Sequence, residues 1–64
     1  SRILNTISNH GVSILTINQG IPLQRVANTT LSIETKDLLV DMEALLDKLR
    51  MIDGVKRLEV LGQV

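Results

Sequence analysis

Apolar residues at helical spacing open the chain and then give way to a β-branched stretch. Ile3, Leu4 and Ile7 fall on one side of a helix, and their spacing predicts an amphipathic helix over residues 1–10. Gly11 follows where a glycine often ends a helix in the left-handed conformation. The chain begins inside this periodic pattern, so we expect the first helix to have no N-cap residue of its own.

Two segments with strand character come next. Residues 12–18 (VSILTIN) are rich in β-branched side chains and roughly alternate, which predicts a strand. Gly20-Ile21-Pro22 predicts a turn, and residues 25–34 predict a second strand. One face of that strand would carry Ala27, Thr29, Leu31 and Ile33, and the other would carry Val26, Asn28, Thr30 and Ser32. The second set is largely polar, so we expect the sheet to be covered on one side only.

A second amphipathic helix and a last strand complete the pattern. The apolar stripe of this helix has helical spacing and consists of Leu38, Met42, Leu45, Leu49 and Ile52. Acidic residues lead and basic residues trail, which suits the helix dipole. Either Asp37 or Asp41 is its N-cap, and Asp53-Gly54 ends it. Residues 55–61 predict a strand that Gly62 terminates.

The resulting order, α-β-β-α-β, is a hairpin followed by a crossover helix and a strand, which is a split βαβ pattern. The crossover is expected to be right-handed. Sixty-four residues make one domain at most. A domain of this size is marginally stable without disulfides, a metal or a partner, so we expect self-association.

Composition excludes several classes of protein. The chain is 44% hydrophobic and 22% charged, with seven basic and seven acidic residues and no net charge. This balance argues against disorder and against a basic nucleic-acid binder. The absence of aromatic residues removes base stacking on a sheet, and the absence of cysteine removes disulfides and thiolate chemistry. No apolar run approaches a membrane span and no signal-peptide pattern opens the sequence, so the expected location is the cytoplasm.

Three segments in order carry a resemblance to a known family: residues 11–19 (GVSILTINQ), 26–33 (VANTTLSI) and 52–60 (IDGVKRLEV). Together they resemble an ACT domain, most closely the small ACT-domain proteins of the PheB type. ACT domains are ferredoxin-like βαββαβ modules that bind amino acids and regulate metabolic enzymes, commonly as dimers with the ligand between subunits. The resemblance therefore implies an α+β sandwich, with an antiparallel sheet and two helices on one face.

The sequence departs from the family at its front. The family's first strand, and the Asp/Asn-x-Pro-Gly-x-Leu loop that follows it, would precede Ser1, so residues 1–64 are expected to form one N-terminally incomplete domain. That strand is central in the ferredoxin-like order, and without it two strands keep unpaired backbone groups. Three arrangements stay open. A neighbouring chain supplies the strand, a longer parent contains it, or the last strand pairs directly with residues 25–34 in parallel.

The resemblance also points to ligand-binding residues. Gly11, Val12, Ser13 and Ile14 match the stretch in which related ACT domains carry an Asn or Ser that contacts the amino acid across the dimer interface. Asn18, Gln19 and Asn28, near the strand ends, are further candidates, because an amide offers both a donor and an acceptor to a zwitterion. The competing interpretation makes Ser13 an outward-facing strand residue and the three amides turn or edge residues.

No chemistry beyond binding is indicated. His10 is the single histidine, and beside a helix C-terminus it is more often a cap-region residue than a base. No acidic residue or cysteine is spaced to make it a metal ligand, and no nucleophile–base order or phosphate loop stands out. We therefore expect no enzyme activity, catalytic residue, metal or cofactor.

The predicted function is that of a regulatory ACT domain that senses an amino acid at a dimer interface to control amino-acid metabolism. The alternative is a structural dimerisation module with no ligand. The expected partners are a second copy of the chain and an amino-acid effector, with neither nucleic acid nor membrane. In the expected dimer, the strand predicted over residues 12–18 pairs with its copy, with Ile14 or Ile17 at the interface. In the rival dimer, helices or sheet faces pack together.

Overall fold

A computed structural model describes residues 1–63. Its elements in chain order are α1 (Arg2–Asn9), β1 (Ser13–Gln19), β2 (Thr29–Glu34) and α2 (Met42–Arg50). The two strands form an antiparallel hairpin, and both helices pack on the face of that hairpin that carries Ile14, Leu31 and Ile33. The expected α+β class is confirmed.

Helix α1 is capped at both ends. The Ser1 hydroxyl oxygen accepts a hydrogen bond from the Leu4 amide at 3.4 Å, so the expectation that this helix lacks an N-cap is wrong. One residue ahead of the first turn is enough for a cap, and serine is among the best residue types there. At the other end His10 is the C-cap residue, and Gly11 takes the left-handed conformation with φ +81°, as its position predicts.

A β-bulge sets which side chains of β1 reach the core. Ile14 lies opposite Ile33 and Ile17 lies opposite Leu31, with an irregularity between Ile14 and Thr16. Two isoleucines three positions apart would face opposite sides of a regular strand. The extra residue, Leu15, restores the alternation, so both isoleucines share the face of Leu31 and Ile33 while Leu15 stays 60% exposed.

The second strand begins later than its composition predicts. Leu23 and Val26 exchange two backbone hydrogen bonds of 2.8 and 2.9 Å, and between them Gln24 and Arg25 have φ of +52° and +67°. Two left-handed residues make a tight reversal of the kind found in two-residue hairpins. The predicted strand over residues 25–34 is therefore shortened to Thr29–Glu34, because its first residues belong to this turn.

Helix α2 begins at Met42, with Asp41 as its N-cap residue, which decides between the two aspartates. The Asp41 side chain makes no capping hydrogen bond. Glu43 lies in the first turn and Lys48 and Arg50 lie in the last, so the charges complement the helix dipole as predicted. Leu38 of the predicted stripe precedes the helix, although it still packs against the core.

The last strand predicted from the sequence, residues 55–61, is wrong for this chain. Residues 55–63 have no strand structure, and β1 and β2 are the only strands in the sheet that residues 1–63 form. A strand exists only through hydrogen bonds to a neighbour, and the far edge of β2 does not provide them here. Direct parallel pairing of this segment with β2, one of the three open arrangements, is therefore not found.

The hydrophobic core lies between the two helices and the hairpin. It is centred on four buried residues, Ile7, Val12, Leu45 and Leu49, and Leu45 is completely inaccessible to solvent. Several large apolar side chains stay outside it, including Ile21 and Met51, which are 86% and 85% exposed. Much apolar surface is thus left uncovered by a single copy of the chain.

Candidate functional site

Gly11 has a structural reason to be glycine. A Cβ atom at this position would overlap the Asp37 carbonyl oxygen and come within 3.0 Å of the Leu39 side chain. The connection that carries these two residues is also tied to α1, because the Leu39 amide donates a hydrogen bond to the His10 carbonyl at 2.9 Å. Gly11 therefore lets two connections approach closely, whatever ligand the surface binds.

The other predicted ligand-binding residues divide between the core and the surface. Val12 is only 5% exposed and belongs to the core cluster, while Ile14 is half-buried against it. Ser13 is exposed at the start of β1, opposite Glu34. Of the stretch from Gly11 to Ile14, Ser13 is thus the residue whose side chain is open to a ligand.

Ser13 and Asn18 share the outer, polar face of the hairpin. The cross-strand partners on this face are Ser13 with Glu34, Thr16 with Ser32, and Asn18 with Thr30. Their side chains are exposed, which confirms that Thr30 and Ser32 face solvent. Ser13 and Asn18 stand near opposite ends of β1, roughly 15 Å apart at the rise of an extended strand. A single copy of the chain therefore does not bring them to one small ligand.

His10 is occupied by its own helix. Its Nδ1 atom lies 2.6 Å from the Thr6 carbonyl oxygen, so Nδ1 carries the proton and donates it to that carbonyl. Residues 1–63 contain no group of three or more His, Cys, Asp or Glu side chains placed to hold a metal ion. Nor is either helix in this part of the chain long and apolar enough to cross a membrane.

A groove that the sequence did not predict lies along the edge of β2 that does not pair with β1. It has a volume of about 290 Å³ and separates residues 25–31 from residues 54–58, with Ile3 and Leu49 contributing from the helices. We call it the β2 groove. Of the ligand-binding candidates named from the sequence, Asn28 lines it, whereas Ser13 and Asn18 do not.

The β2 groove combines an apolar lining with basic side chains. Its cations are Arg25, Lys56 and Arg57, and no acidic residue contributes to the lining. Arg57 pairs with Glu59 at 3.4 Å on the surface, a contact that contributes little in water. No carboxylate of residues 1–63 lies within 4.0 Å of the charged ends of Arg25 and Lys56.

Two turns place these cations. Gly54, with φ +97°, reverses the chain after α2, and the Val55 amide closes this turn on the Ile52 carbonyl at 3.1 Å. Residues 55–58 then run back along the groove. Arg25 sits in the left-handed turn before β2. Because the basic residues come from turns distant in sequence, the only signal for them was the adjacent pair Lys56-Arg57.

Unpaired backbone groups flank the β2 groove on both sides. β2 has β1 on one edge and no strand of residues 1–63 on the other. Across the groove, residues 56–63 make no backbone hydrogen bond within the part of the chain that the structure describes. Such groups are free to bind water or another strand.

The chain is similar to several curated proteins. It is 51% identical over 63 residues to a UPF0735 ACT domain-containing protein of Desulfitobacterium hafniense, covering 98% of this chain and 42% of that protein. A protein of the same description from Carboxydothermus hydrogenoformans is 46% identical, with coverage of 98% and 43%. The Bacillus subtilis protein YszB, which has the same description, is 44% identical over 62 residues, covering 97% of this chain and 42% of that protein.

Each of these relatives is described as an ACT domain-containing protein. The chain spans about 42% of the length of the curated relatives it matches. No family model matches the sequence, and no solved structure matches it either.

Proposed function

We propose that this chain forms part of a regulatory ACT domain of the PheB type, which senses an amino acid at a dimer interface and thereby controls amino-acid metabolism. The observation that carries the proposal is the similarity to ACT domain-containing proteins over 98% of the chain, joined to an α-β-β-α order with an antiparallel hairpin. The sensing, the dimer and the metabolic role are the proposed parts.

The β1 edge is the surface we assign to the dimer. No residue of Ser13–Gln19 is charged or a proline, and Leu15 and Ile17 are 60% and 52% exposed. In proteins that stay monomeric, edge strands usually carry charged residues or prolines that prevent pairing with another chain. Two copies related by a two-fold axis would pair their β1 strands antiparallel and join their hairpins into one sheet.

This dimer makes a composite ligand site. Antiparallel pairing sets the start of one β1 beside the end of the other, so Ser13 of one copy approaches Asn18 of its partner. Within one copy these residues are too far apart for one amino acid to contact both. A hydroxyl and an amide together supply the donors and acceptors that a zwitterion needs, and the exposed face around them admits a ligand.

A thermal-shift screen of the twenty amino acids against the full-length polypeptide tests the proposal, followed by calorimetry on the best binder. Ser13→Ala removes one hydrogen bond and should weaken binding about tenfold. Ser32→Ala, on the same polar face but on β2, is the matched control and should bind like the unmodified protein. Equal affinity for Ser13→Ala and the control would remove Ser13 from the site.

A structural dimerisation module without ligand is the second candidate. The observation that favours it is that neither Ser13 nor Asn18 lines the β2 groove or the pocket formed by Arg50 and residues 55–58. Silence from all twenty amino acids would support this candidate over sensing. Analytical ultracentrifugation separates both from a third outcome, because a monomer at micromolar concentration contradicts each of them.

The missing first strand belongs to the proposal as well. The resemblance places this strand ahead of Ser1, and relatives more than twice the matched length have room for it. The proposed domain includes it in the longer polypeptide.

A further inference from the structure

We propose that Glu34 is a further ligand-binding residue of the composite site, and that its carboxylate binds the ammonium group of the amino acid. The site would therefore accept free α-amino acids and reject the corresponding 2-oxo acids. The inference rests on the proposed function for the class of ligand and for Ser13 as a binding residue. It adds a residue to which the family resemblance does not point, the orientation of the ligand and the chemical group that the site selects.

Glu34 stands directly beside the proposed ligand serine. It ends β2 and is the cross-strand partner of Ser13, so the Cβ atoms of the two residues lie roughly 5 Å apart on the outer face of the hairpin. Both residues are exposed. A ligand that forms a hydrogen bond with the Ser13 hydroxyl is therefore within reach of the Glu34 carboxylate of the same copy.

The outer face of the hairpin carries a single charge. Glu34 is the only ionisable residue in either strand, and the other side chains of this face are hydroxyls and one amide. An ionised carboxylate accepts hydrogen bonds and cannot donate them. The Glu34 end of the face therefore attracts an ammonium group and repels a carboxylate, whereas the neutral hydroxyls and the amide can donate to an anion.

The Glu34 carboxylate is available to a ligand. The one cation within 4.0 Å of it among residues 1–63 is Lys36, whose Nζ atom lies 3.8 Å from Oε1. Both side chains are exposed, and such a pair contributes little in water. None of the side-chain hydrogen bonds in this part of the chain involves Glu34. A ligand ammonium between Glu34 and Ser13 would replace this loose contact with a charge-assisted hydrogen bond, which is shorter and stronger.

The proposed dimer would arrange these groups in one row across the joined sheet. Glu34 and Ser13 of one copy form the first half of the row, and Asn18 and Thr30 of its partner, which are paired in the same way, form the second half. An amino acid above Ser13 would direct its ammonium group toward Glu34 and its carboxylate toward the partner's Asn18, whose amide N–H groups donate to it. Each copy would thus recognise a different end of the ligand.

Calorimetry on the full-length polypeptide tests the inference with pairs of probes that differ at the α-carbon. The pairs are L-leucine with 4-methyl-2-oxopentanoate, L-phenylalanine with phenylpyruvate and L-glutamate with 2-oxoglutarate, together with the best binder of the thermal-shift screen and its 2-oxo acid. We expect the amino acid of the tightest pair to bind at least about tenfold more tightly than its 2-oxo acid, which has a carbonyl in place of the ammonium.

Glu34→Gln keeps the size of the side chain and removes its charge. It should weaken binding of the amino acid about tenfold. Binding of the 2-oxo acid should stay equal or become tighter, because repulsion between two carboxylates is removed. A variant that had only damaged the fold would weaken both probes, so equal weakening of the two would overturn the inference.

Two control variants isolate the role of Glu34. Glu43→Gln removes the same charge from an exposed position in the first turn of α2 and should bind both probes like the unmodified protein. Lys36→Gln removes the competing cation and should leave amino-acid binding equal or slightly tighter. Equal affinities for Glu34→Gln and Glu43→Gln would overturn the inference. A loss in Lys36→Gln as large as that in Glu34→Gln would also overturn it, because Glu34 would then act through Lys36.

Failure of the inference is distinguishable from failure of the proposed function. If none of the twenty amino acids binds the unmodified protein, both are refuted. If an amino acid binds and Ser13→Ala weakens its binding but Glu34→Gln does not, the proposed function stands and only the role of Glu34 is refuted.

Discussion

Replacing Gly11 by alanine tests whether close approach of two connections, rather than ligand binding, requires glycine at this position. Gly11 has φ +81°, and a Cβ atom there would overlap the Asp37 carbonyl oxygen. A left-handed conformation costs a non-glycine residue about 1–2 kcal/mol. Relief of the overlap moves residues 37–39 away and breaks the hydrogen bond from the Leu39 amide to the His10 carbonyl, which contributes about 1 kcal/mol.

The expected loss is therefore about 2–3 kcal/mol for Gly11→Ala. Gly54→Ala is the matched control, because Gly54 also has a positive φ, +97°, but nothing lies within 4 Å of its added Cβ. That variant should lose only the conformational part, about 1–2 kcal/mol. The difference between the two variants isolates the contact with the 37–39 connection.

Urea unfolding followed by helix circular dichroism measures both losses, since the chain has no Trp, Tyr or Phe for fluorescence. With an m value of about 1 kcal/mol/M for a domain this small, the midpoint should fall by about 2–3 M for Gly11→Ala and by about 1–2 M for Gly54→Ala. Equal losses would refute the close-approach argument. A loss of amino-acid binding by Gly11→Ala without a loss of stability would show instead that Gly11 serves the ligand.

Two further predictions concern stability. Leu45→Ala should lower the free energy of unfolding in urea by about 2–5 kcal/mol, because Leu45 is completely buried. Leu39→Ala, at a side chain that is 73% exposed, should change it by less than about 1 kcal/mol. Similar losses for the two variants would contradict the assigned core. Asp41→Ala should destabilise the protein by less than the roughly 1 kcal/mol typical of a lost N-cap, because the Asp41 side chain makes no capping hydrogen bond. A loss of about 1 kcal/mol in thermal unfolding would show that the Asp41 side chain does cap the helix.

Local patterns predicted the helices and the hairpin well. The spacing of apolar residues around Ile7 and around Leu45 predicts two amphipathic helices, and both residues are buried. The polar face of the hairpin followed from the alternation of Thr30 and Ser32. Each of these features depends on residues within one or two turns of each other, so the sequence contains the information directly.

Features that depend on three-dimensional contacts were not predictable in the same way. The bulge at Leu15 places Ile14 and Ile17 on one face of the hairpin, although only Ile14 packs against the core. The left-handed turn at Gln24 and Arg25 lacks the glycine or asparagine that usually marks such a turn. The strand propensity of residues 55–61 is real but needs a neighbour, which residues 1–63 do not supply.

The candidate site shows the same division. Ser13 is a candidate by resemblance, and its side chain is exposed, whereas Val12 of the same stretch is a core residue. The β2 groove could not be predicted from the sequence, because Arg25 and Lys56 are far apart in the chain and line one groove only after two turns have formed. Sequence patterns find elements, whereas a groove between elements requires their packing.

The most direct test of the account is an experimental structure of the full-length polypeptide. We predict two copies related by a two-fold axis whose β1 strands pair antiparallel, with Ser13 of one copy beside Asn18 of its partner. A structure in which the two β1 edges do not meet would contradict the account.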